Sequence, residues 1–188
     1  MSASASVSPR AGGVLPMIVV AAVLAVVVFG GYAVGGALSR STGPAVEIAG
    51  VVRIQPLSGW EEAGRFADPA GVRLTRGGGN LDVVAVPSDG SATDLVRWYV
   101  QRVFEPAAER LSVSPRAQEV RLASGLEGAR VAYVGLFGKA LVPIEGEVTA
   151  VVSPSGTGVV FDAWGAEGVL RYVLEDVRAM IDTAEVAR

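Results

Sequence analysis

Acidic residues in the second half of the chain have the types and spacing that could support acid–base chemistry. Glu145 and Glu147 lie two residues apart in a stretch with the alternation of a β-strand, so both side chains point to one face. Asp82 and Asp162 lie in other predicted strands of the same domain. Two carboxylates can serve as acid and base in a glycoside hydrolase, and their oxygens also bind hard cations. Alternatively, these side chains form a solvated strand face that meets arginines on the neighbouring strand.

Most other catalytic chemistry is excluded by composition, because the 188 residues include no histidine and no cysteine. The sequence therefore has no disulfide, thiol nucleophile, zinc–thiolate site or Ser-His-Asp triad. It has no Gly-x-Ser-x-Gly motif, and the glycine run 77–79 lacks the Lys-Ser/Thr of a phosphate-binding loop. We predict a protein that is not an enzyme and holds no cofactor or metal. The alternative is an envelope hydrolase or cation-dependent enzyme that uses Glu145, Glu147 and Asp162.

The three tryptophans, Trp60, Trp98 and Trp164, are candidates for a binding surface. An aromatic ring of this size can stack on a sugar or pack against a peptide, with its N–H free to donate a hydrogen bond. The alternative is that all three fill the hydrophobic core, where large aromatic side chains are common.

An uncharged apolar stretch, residues 14–38, lies between Arg10 and Arg40. A bilayer core about 30 Å thick needs roughly 20 apolar residues in a helix, and this stretch is longer than that. We predict a single transmembrane helix, with a polar leader before it at 1–13 and a short linker after it at 39–45. The remaining residues, 46–188, are enough for one soluble domain.

The length of this segment and the regions before and after it indicate its orientation in the membrane and whether it is cleaved. A short leader before a large C-terminal domain favours a cytoplasmic N-terminus and an extracytoplasmic domain. A signal peptide cleaved after Ala37 would instead release a secreted ligand-binding domain, but the apolar stretch is longer than a usual signal sequence. Gly31 and Gly35 have the small-xxx-small spacing of closely packed membrane helices, so we predict that they contact a membrane-protein partner. Alternatively, they reflect the general frequency of glycine in such helices.

The charge of the domain limits its other partners. All 19 acidic residues and all but one of the 16 basic residues follow the apolar stretch, so the domain is net negative. This balance argues against nucleic acid and against electrostatic binding to anionic lipid. Arginine at every basic position except Lys139, with abundant alanine, glycine and valine, is typical of a GC-rich bacterial genome such as that of an actinobacterium.

The domain alternates strands and helices in a way that predicts the α+β class. Alternating apolar residues predict strands at 46–55, 71–76, 81–87, 118–123, 129–137, 145–153 and 158–164. The tetrapeptide 77–80 and the run 154–156 predict hairpin turns. One helix is predicted from Ser91 to Leu111 with a break near Pro106, and a second over 167–186. Short turns between successive strands predict antiparallel pairing, with helices covering the sheet.

This order of elements resembles the Mog1/PsbP-like fold, which includes the LpqN-like domains of actinobacterial envelope proteins. The matching features are Gly59-Trp60, the hairpin at 77–80, Trp98-Tyr99 in the first helix, and the run Phe161-Asp162-Ala163-Trp164 before the last helix. The resemblance covers roughly 48–186 and implies an α/β sandwich in which an antiparallel sheet packs with two main helices. It also implies a non-catalytic assembly, accessory or binding role. Together with the apolar stretch, it predicts a single-pass accessory protein of the bacterial cell envelope within a larger membrane complex.

Overall fold

The computed structural model describes residues 42–138 and 142–187. The predicted leader and transmembrane segment, with Gly31 and Gly35, lie outside these residues, as does Lys139. Among the helices that are described, none is long and apolar enough to cross a membrane. The membrane anchor and the boundaries of the leader and span therefore stay predictions.

The described residues form two antiparallel sheets and two α-helices. The large sheet has the order β3-β4-β5-β10-β9-β8-β6, and β7 pairs with the first part of β8 on the same edge as β6. Its strands are β3 (Glu61–Ala67), β4 (Ala70–Arg76), β5 (Gly79–Pro87), β6 (Ala108–Val113), β7 (Gln118–Arg121), β8 (Glu127–Phe137), β9 (Ile144–Val152) and β10 (Thr157–Ala166). The small sheet has the order β1-β2-β11, formed by β1 (Val46–Ile48), β2 (Val52–Ile54) and β11 (Glu185–Val186).

The two helices lie on opposite faces of the large sheet. Helix α1 (Ala92–Tyr99), continued by a π-helical turn (Val100–Phe104), packs on one face with Val84, Val148 and Val160. Helix α2 (Leu174–Asp182), preceded by a 3-10 turn (Leu170–Tyr172), packs with the small sheet on the other face. Because the central strands are covered on both sides, they are mostly apolar on both faces and rich in valine. The predicted α+β class, an antiparallel sheet covered by two helices, is confirmed.

Helix α1 begins where the sequence predicts. The hydroxyl of Ser91 accepts a hydrogen bond from the Asp94 backbone N–H at 3.1 Å, and the Asp94 carboxylate accepts one from the Ser91 N–H at 3.1 Å. This reciprocal capping box satisfies two backbone donors that a helix N-terminus otherwise leaves without a partner.

Three predicted elements are wrong in their extent. The predicted strand 46–55 is a hairpin, because Ala49 and Gly50 adopt positive φ angles of 51° and 68° between β1 and β2. The first helix does not reach Leu111: its α-helical part ends at Tyr99, and Leu111 lies in β6. The second predicted helix is α-helical only in α2, since the chain forms a 3-10 turn before it and pairs β11 with β2 after it.

The large sheet has an exposed edge strand, β3. Nearly every residue of β3 is solvent-exposed, and it pairs only with β4. The register between these strands shifts between Glu62 and Gly64, which marks a β-bulge. The hairpin turns predicted between β4 and β5 and between β9 and β10 are both present.

Candidate functional site

The sheet separates the acidic residues that the sequence offers for catalysis. Glu147 lies opposite Ala163 in the β9–β10 ladder, whereas Asp162 lies opposite Val148. Directly opposed residues share a face and consecutive residues alternate, so Asp162 points away from the face that carries Glu145 and Glu147. The predicted grouping of Glu145, Glu147 and Asp162 into one catalytic site is therefore wrong, because a layer of backbone separates them.

On the α2 side, Glu147 forms an ion-paired cluster that joins the helix to the sheet. Its carboxylate accepts hydrogen bonds from Arg178 Nε at 3.1 Å and Nη2 at 2.6 Å, and Arg130 Nε lies 3.1 Å away. The hydrogen bonds that Arg178 donates to Glu147 raise the pKa of Arg178, whereas burial lowers the pKa of Arg130. The alternative of a solvated strand face that meets arginines on the neighbouring strand holds only in part. Arg130 of β8 does approach Glu147, but Glu147 is buried, and its other arginine comes from α2.

Glu145, two residues earlier on the same face, binds backbone. Its Oε1 accepts hydrogen bonds from the N–H groups of Gly168 at 3.0 Å and Leu170 at 3.2 Å. These contacts fix the segment that enters the 3-10 turn. Both glutamates are thus engaged in holding the α2 side of the sandwich together.

On the α1 side, Asp82 and Asp162 lie directly opposite each other in the β5–β10 ladder, and both are buried. The Asp162 carboxylate accepts hydrogen bonds from the hydroxyls of Tyr133 at 2.9 Å and Tyr99 at 3.2 Å. Burial raises the pKa of Asp162 to about 7; repulsion from Asp82 adds to this, and the tyrosine hydrogen bonds oppose it. Burial also raises the pKa of both tyrosines, so they remain protonated donors.

Asp82 is neutralised by Arg73. The Arg73 guanidinium donates from Nε and Nη2 to the two Asp82 oxygens, each at 2.7 Å, and Trp164 Nε1 donates to the same carboxylate at 3.2 Å. The guanidinium also stacks over the rings of Trp164 and Phe66, with centroid distances of 4.9 and 5.4 Å. Hydrogen bonding to Asp82 raises the pKa of Arg73, so this arginine stays charged.

These side chains line two adjoining depressions. The inner one, here called the aromatic pocket, has a volume of about 240 Å³. Its walls are Arg73, Asp82, Tyr99, Val103, Phe104, Ala107, Tyr133, Phe137, Ile144, Asp162 and Trp164. The outer one, here called the cleft, has about 690 Å³ and shares four of these residues, Arg73, Asp82, Tyr99 and Val103.

Large apolar side chains stand exposed along the cleft. Phe66, Trp98 and Val103 line it and are 36%, 43% and 40% exposed. The tryptophans thus divide: Trp60 is buried in the core, whereas Trp164 is half-buried in the pocket wall and Trp98 lies at the rim of the cleft. A concave surface with apolar walls and a few directed polar groups is typical of a binding site.

A glycine makes room for one wall of the pocket. Gly146 lies directly opposite Tyr133 in the β8–β9 ladder, and a Cβ at Gly146 would lie 2.2 Å from the Tyr133 ring. The ring can therefore lie across the strand, with its hydroxyl on Asp162. Phe104, from the π-helical turn, packs against Tyr133 at a centroid distance of 4.3 Å.

Sequence reasoning missed the roles of Arg73, Tyr99 and Tyr133. The available signal was an acid inside each of two apolar runs, LDVVAV for Asp82 and VVFDAW for Asp162. A strand covered on both faces leaves no solvated position for an acid, so each needs a donor supplied by another element. Within the described ranges, no group of three or more acidic, histidine or cysteine side chains is arranged to hold a metal ion.

Comparison with known proteins yields similarity in structure only. No family model matches the chain, and no curated protein matches it significantly. Cyanobacterial PsbP (CyanoP) from Synechocystis is 15% identical with a TM-score of 0.55, over 76% of this chain and 91% of that protein. The Saccharomyces cerevisiae Ran-binding protein Mog1p is 13% identical with a TM-score of 0.56, over 79% of this chain and 96% of that protein.

A third similar structure is LpqN, which is involved in cell envelope biogenesis of Mycobacterium tuberculosis. It is 10% identical with a TM-score of 0.52, over 73% of this chain and 83% of LpqN. At these identities the likeness concerns the fold alone. The resemblance that the order of elements predicted is confirmed: the described domain has the Mog1/PsbP-like fold.

Proposed function

We propose that this chain is a non-catalytic binding or accessory protein of the bacterial cell envelope, anchored in the membrane through residues 14–38. Its N-terminus lies in the cytoplasm, its domain faces the envelope, and it works with a membrane-protein partner in a larger complex. The uncharged apolar stretch supports the anchor. The descriptions of Mog1p as Ran-binding and of LpqN as acting in envelope biogenesis support the accessory role by analogy.

The observation that carries the non-catalytic role is the engagement of every acid that the sequence offered for chemistry. Glu145 holds backbone N–H groups, Glu147 and Asp82 are paired with arginines, and Asp162 accepts from two tyrosines. A hydrolase needs one free acid and one free base facing the same substrate. Asp82 and Asp162 share the aromatic pocket, but Arg73 already donates to both oxygens of Asp82. The exposed side chains along the cleft suit a protein or ligand contact instead.

Affinity purification of the full-length chain from gently solubilised membranes tests the accessory role. We expect a stoichiometric partner, identified by mass spectrometry. A matched variant in which residues 14–38 are exchanged for an unrelated transmembrane helix separates contacts of the span from contacts of the domain. The pair Gly31→Leu and Gly35→Leu tests the predicted helix-packing positions. A protein recovered alone and monomeric would contradict the proposal.

The orientation can be tested by thiol labelling, because the chain has no cysteine. Ser124→Cys places one thiol on the exposed surface of the domain, and Ser4→Cys places one in the leader. We expect a membrane-impermeant maleimide to label Ser124→Cys in intact cells, and Ser4→Cys only after the cells are opened. The reverse pattern would contradict an extracytoplasmic domain, and a labelled protein released into the medium would indicate cleavage after Ala37.

A further inference from the structure

The aromatic pocket is walled by a connected set of rings. The centroid of Phe104 lies 5.2 Å from Tyr99, 4.3 Å from Tyr133 and 5.7 Å from Phe137, and Trp164 completes the wall. Aromatic faces carry negative electrostatic potential and attract cations, most strongly where water is excluded. One ring already does so, because the Arg73 guanidinium stacks on Trp164 at 4.9 Å.

Of the two carboxylates at the pocket, only Asp162 has no cation among its hydrogen-bond donors. Arg73 directs Nε and Nη2 to Asp82, so this pair is neutral. Asp162 has only the neutral hydroxyls of Tyr99 and Tyr133 as donors. A buried carboxylate beside a second carboxylate is stabilised most by a nearby positive charge. The pocket therefore favours a cation over an anion or a neutral group.

We propose that the aromatic pocket binds an organic ammonium group, with Asp162 as its counter-ion and the rings of Tyr99, Phe104 and Tyr133 around it. The proposal rests on the role of the domain as a binding module and names the chemistry of its ligand. A pocket of about 240 Å³ is smaller than the usual drug-sized site of roughly 300–1,000 Å³, so it suits a headgroup. Val103 is partly exposed and lines both the pocket and the cleft, so the two depressions adjoin at this residue.

The direct test is calorimetric titration of the full-length protein at pH 8, above the pKa of about 7 of Asp162, so that its carboxylate is ionised. The protein is held in a maltoside detergent, which carries no ammonium group. Choline is the probe, and 3,3-dimethylbutan-1-ol is its uncharged counterpart of the same shape. We expect choline to bind at least about tenfold more tightly, the difference expected from one desolvated cation–π contact and an ion pair. Equal affinities, or no binding of choline at all, would overturn the proposal.

A second arm identifies the source of the ammonium group. Glycerophosphocholine carries the same headgroup as a phosphatidylcholine lipid, joined to its phosphate. An affinity equal to or above that of choline would support a lipid headgroup as the ligand. A weaker affinity would support a free small ammonium compound. Both results require that the ammonium group itself is bound.

Variants connect the binding to the pocket. Asp162→Asn keeps the size of the side chain and removes its charge, so we expect choline affinity to fall about tenfold or more. Phe137→Leu changes a half-buried wall residue and should weaken choline binding severalfold in a protein that still melts cooperatively. Glu127→Gln, at an exposed acid outside the pocket, is the matched control and should leave the affinity unchanged. Unchanged affinity in both pocket variants would overturn the assignment.

Failure of this proposal can be told apart from failure of the accessory role. A protein that captures its membrane partner but does not bind choline would overturn the ligand assignment alone. A protein that binds choline but captures no partner would overturn the accessory role and leave the pocket as a ligand site.

Discussion

Three neighbouring strands of the large sheet, β5, β10 and β9, present acids to both of its faces, and the surroundings of these acids differ between the faces. On the α2 side, Glu147 is held by two arginines and Glu145 by two backbone N–H groups. On the α1 side, Asp82 and Asp162 lie in the wall of an open pocket. Neighbouring strands thus carry acids bound into the packing on one face and acids in the wall of a pocket on the other.

The covering elements explain the difference. Helix α2 and the small sheet together cover one face, and α2 supplies Arg178 to Glu147. The other face is covered by α1 and a single π-helical turn, after which the chain leaves for β6. This shorter cover leaves room for the aromatic pocket and the cleft. The role of a buried acid here depends on what lies above the sheet, and four experiments test that conclusion.

The largest expected effect concerns Asp162 and pH. Its pKa in the folded protein, about 7, lies above the ordinary value of 3.8, so the folded state holds the proton more tightly than the unfolded state. This contribution to the free energy of unfolding is complete below about pH 4 and is lost as pH rises through 7, on the order of 4 kcal/mol. Chemical denaturation between pH 4 and 8 measures it.

The matched variant for this prediction is Asp162→Asn, which cannot titrate. We expect the fall in the wild-type free energy of unfolding between pH 4 and 8 to be much smaller in the variant. If the free energy of unfolding changed with pH in parallel for the two proteins, the titration assigned to Asp162 would be contradicted. The acid on the α1 side would then not differ in this respect from those on the α2 side.

The next largest effect is expected on the α2 side. Glu147→Gln removes the partner of Arg130, whose side chain is only 16% exposed, and leaves a desolvated cation. We expect the free energy of unfolding to fall by about 2–3 kcal/mol, less than for a fully buried pair because Arg178 is 43% exposed. Thermal and denaturant unfolding measure this change.

Glu127→Gln is the control for that variant. The Arg121–Glu127 pair is 68% and 78% exposed, so its loss should leave stability unchanged within error. If Glu147→Gln behaved like this control, the α2 side would not depend on its acids, and the contrast between the faces would disappear.

A smaller loss, about 2 kcal/mol, is expected for Gly146→Ala, because the new methyl group would overlap the Tyr133 ring. Displacing this ring also removes its hydrogen bond to Asp162. The double variant with Tyr133→Leu shows whether the ring is the obstacle. In the protein that carries Tyr133→Leu, we expect Gly146→Ala to lower the free energy of unfolding clearly less. If the losses of the two single variants simply added, the Tyr133 ring would not be the reason that glycine is needed at position 146.

The smallest effect on stability is expected for Trp98→Ala at the rim of the cleft. Because 43% of this side chain is exposed, the free energy of unfolding should change by less than about 0.5–1 kcal/mol. If the cleft contacts the partner, the amount captured in the affinity purification should fall markedly. Arg97→Ala, on an exposed neighbour outside the pocket and cleft, is the control. If both variants captured equal amounts of the partner, the cleft would not be part of the partner-binding surface.

Much of the fold was predictable from local sequence. Alternating valines and glycine turns gave the long strands, and the capping box at Ser91 gave the start of α1. The errors occurred where local patterns are ambiguous. The positions of Ala107 and Leu111 fit the spacing of a helix as well as that of a strand. The helix ends with the π-helical turn at Phe104, and Leu111 lies in β6. A non-glycine residue with positive φ, Ala49, gave no turn signal between β1 and β2.

The candidate site was less predictable, because it depends on the register between strands. The two-residue spacing of Glu145 and Glu147 in a strand correctly predicted that both lie on one face of the sheet. Whether Asp162 joins them depends on which residue of β9 it opposes, and a shift of one residue would reverse the answer. The pairing of Arg73 with Asp82, by contrast, depends only on the register of the β4–β5 hairpin, whose turn the sequence predicts.

The exposed edge strand β3 has a consequence for the behaviour of the protein at high concentration. An open sheet edge offers free backbone groups to the edge of another copy, which is a route to aggregation. Here the edge carries the charges of Glu61, Glu62 and Arg65, and its bulge breaks the regular spacing of donors and acceptors. These features discourage edge-to-edge growth into fibrils, so the domain can keep a wide, open sheet and remain dispersed.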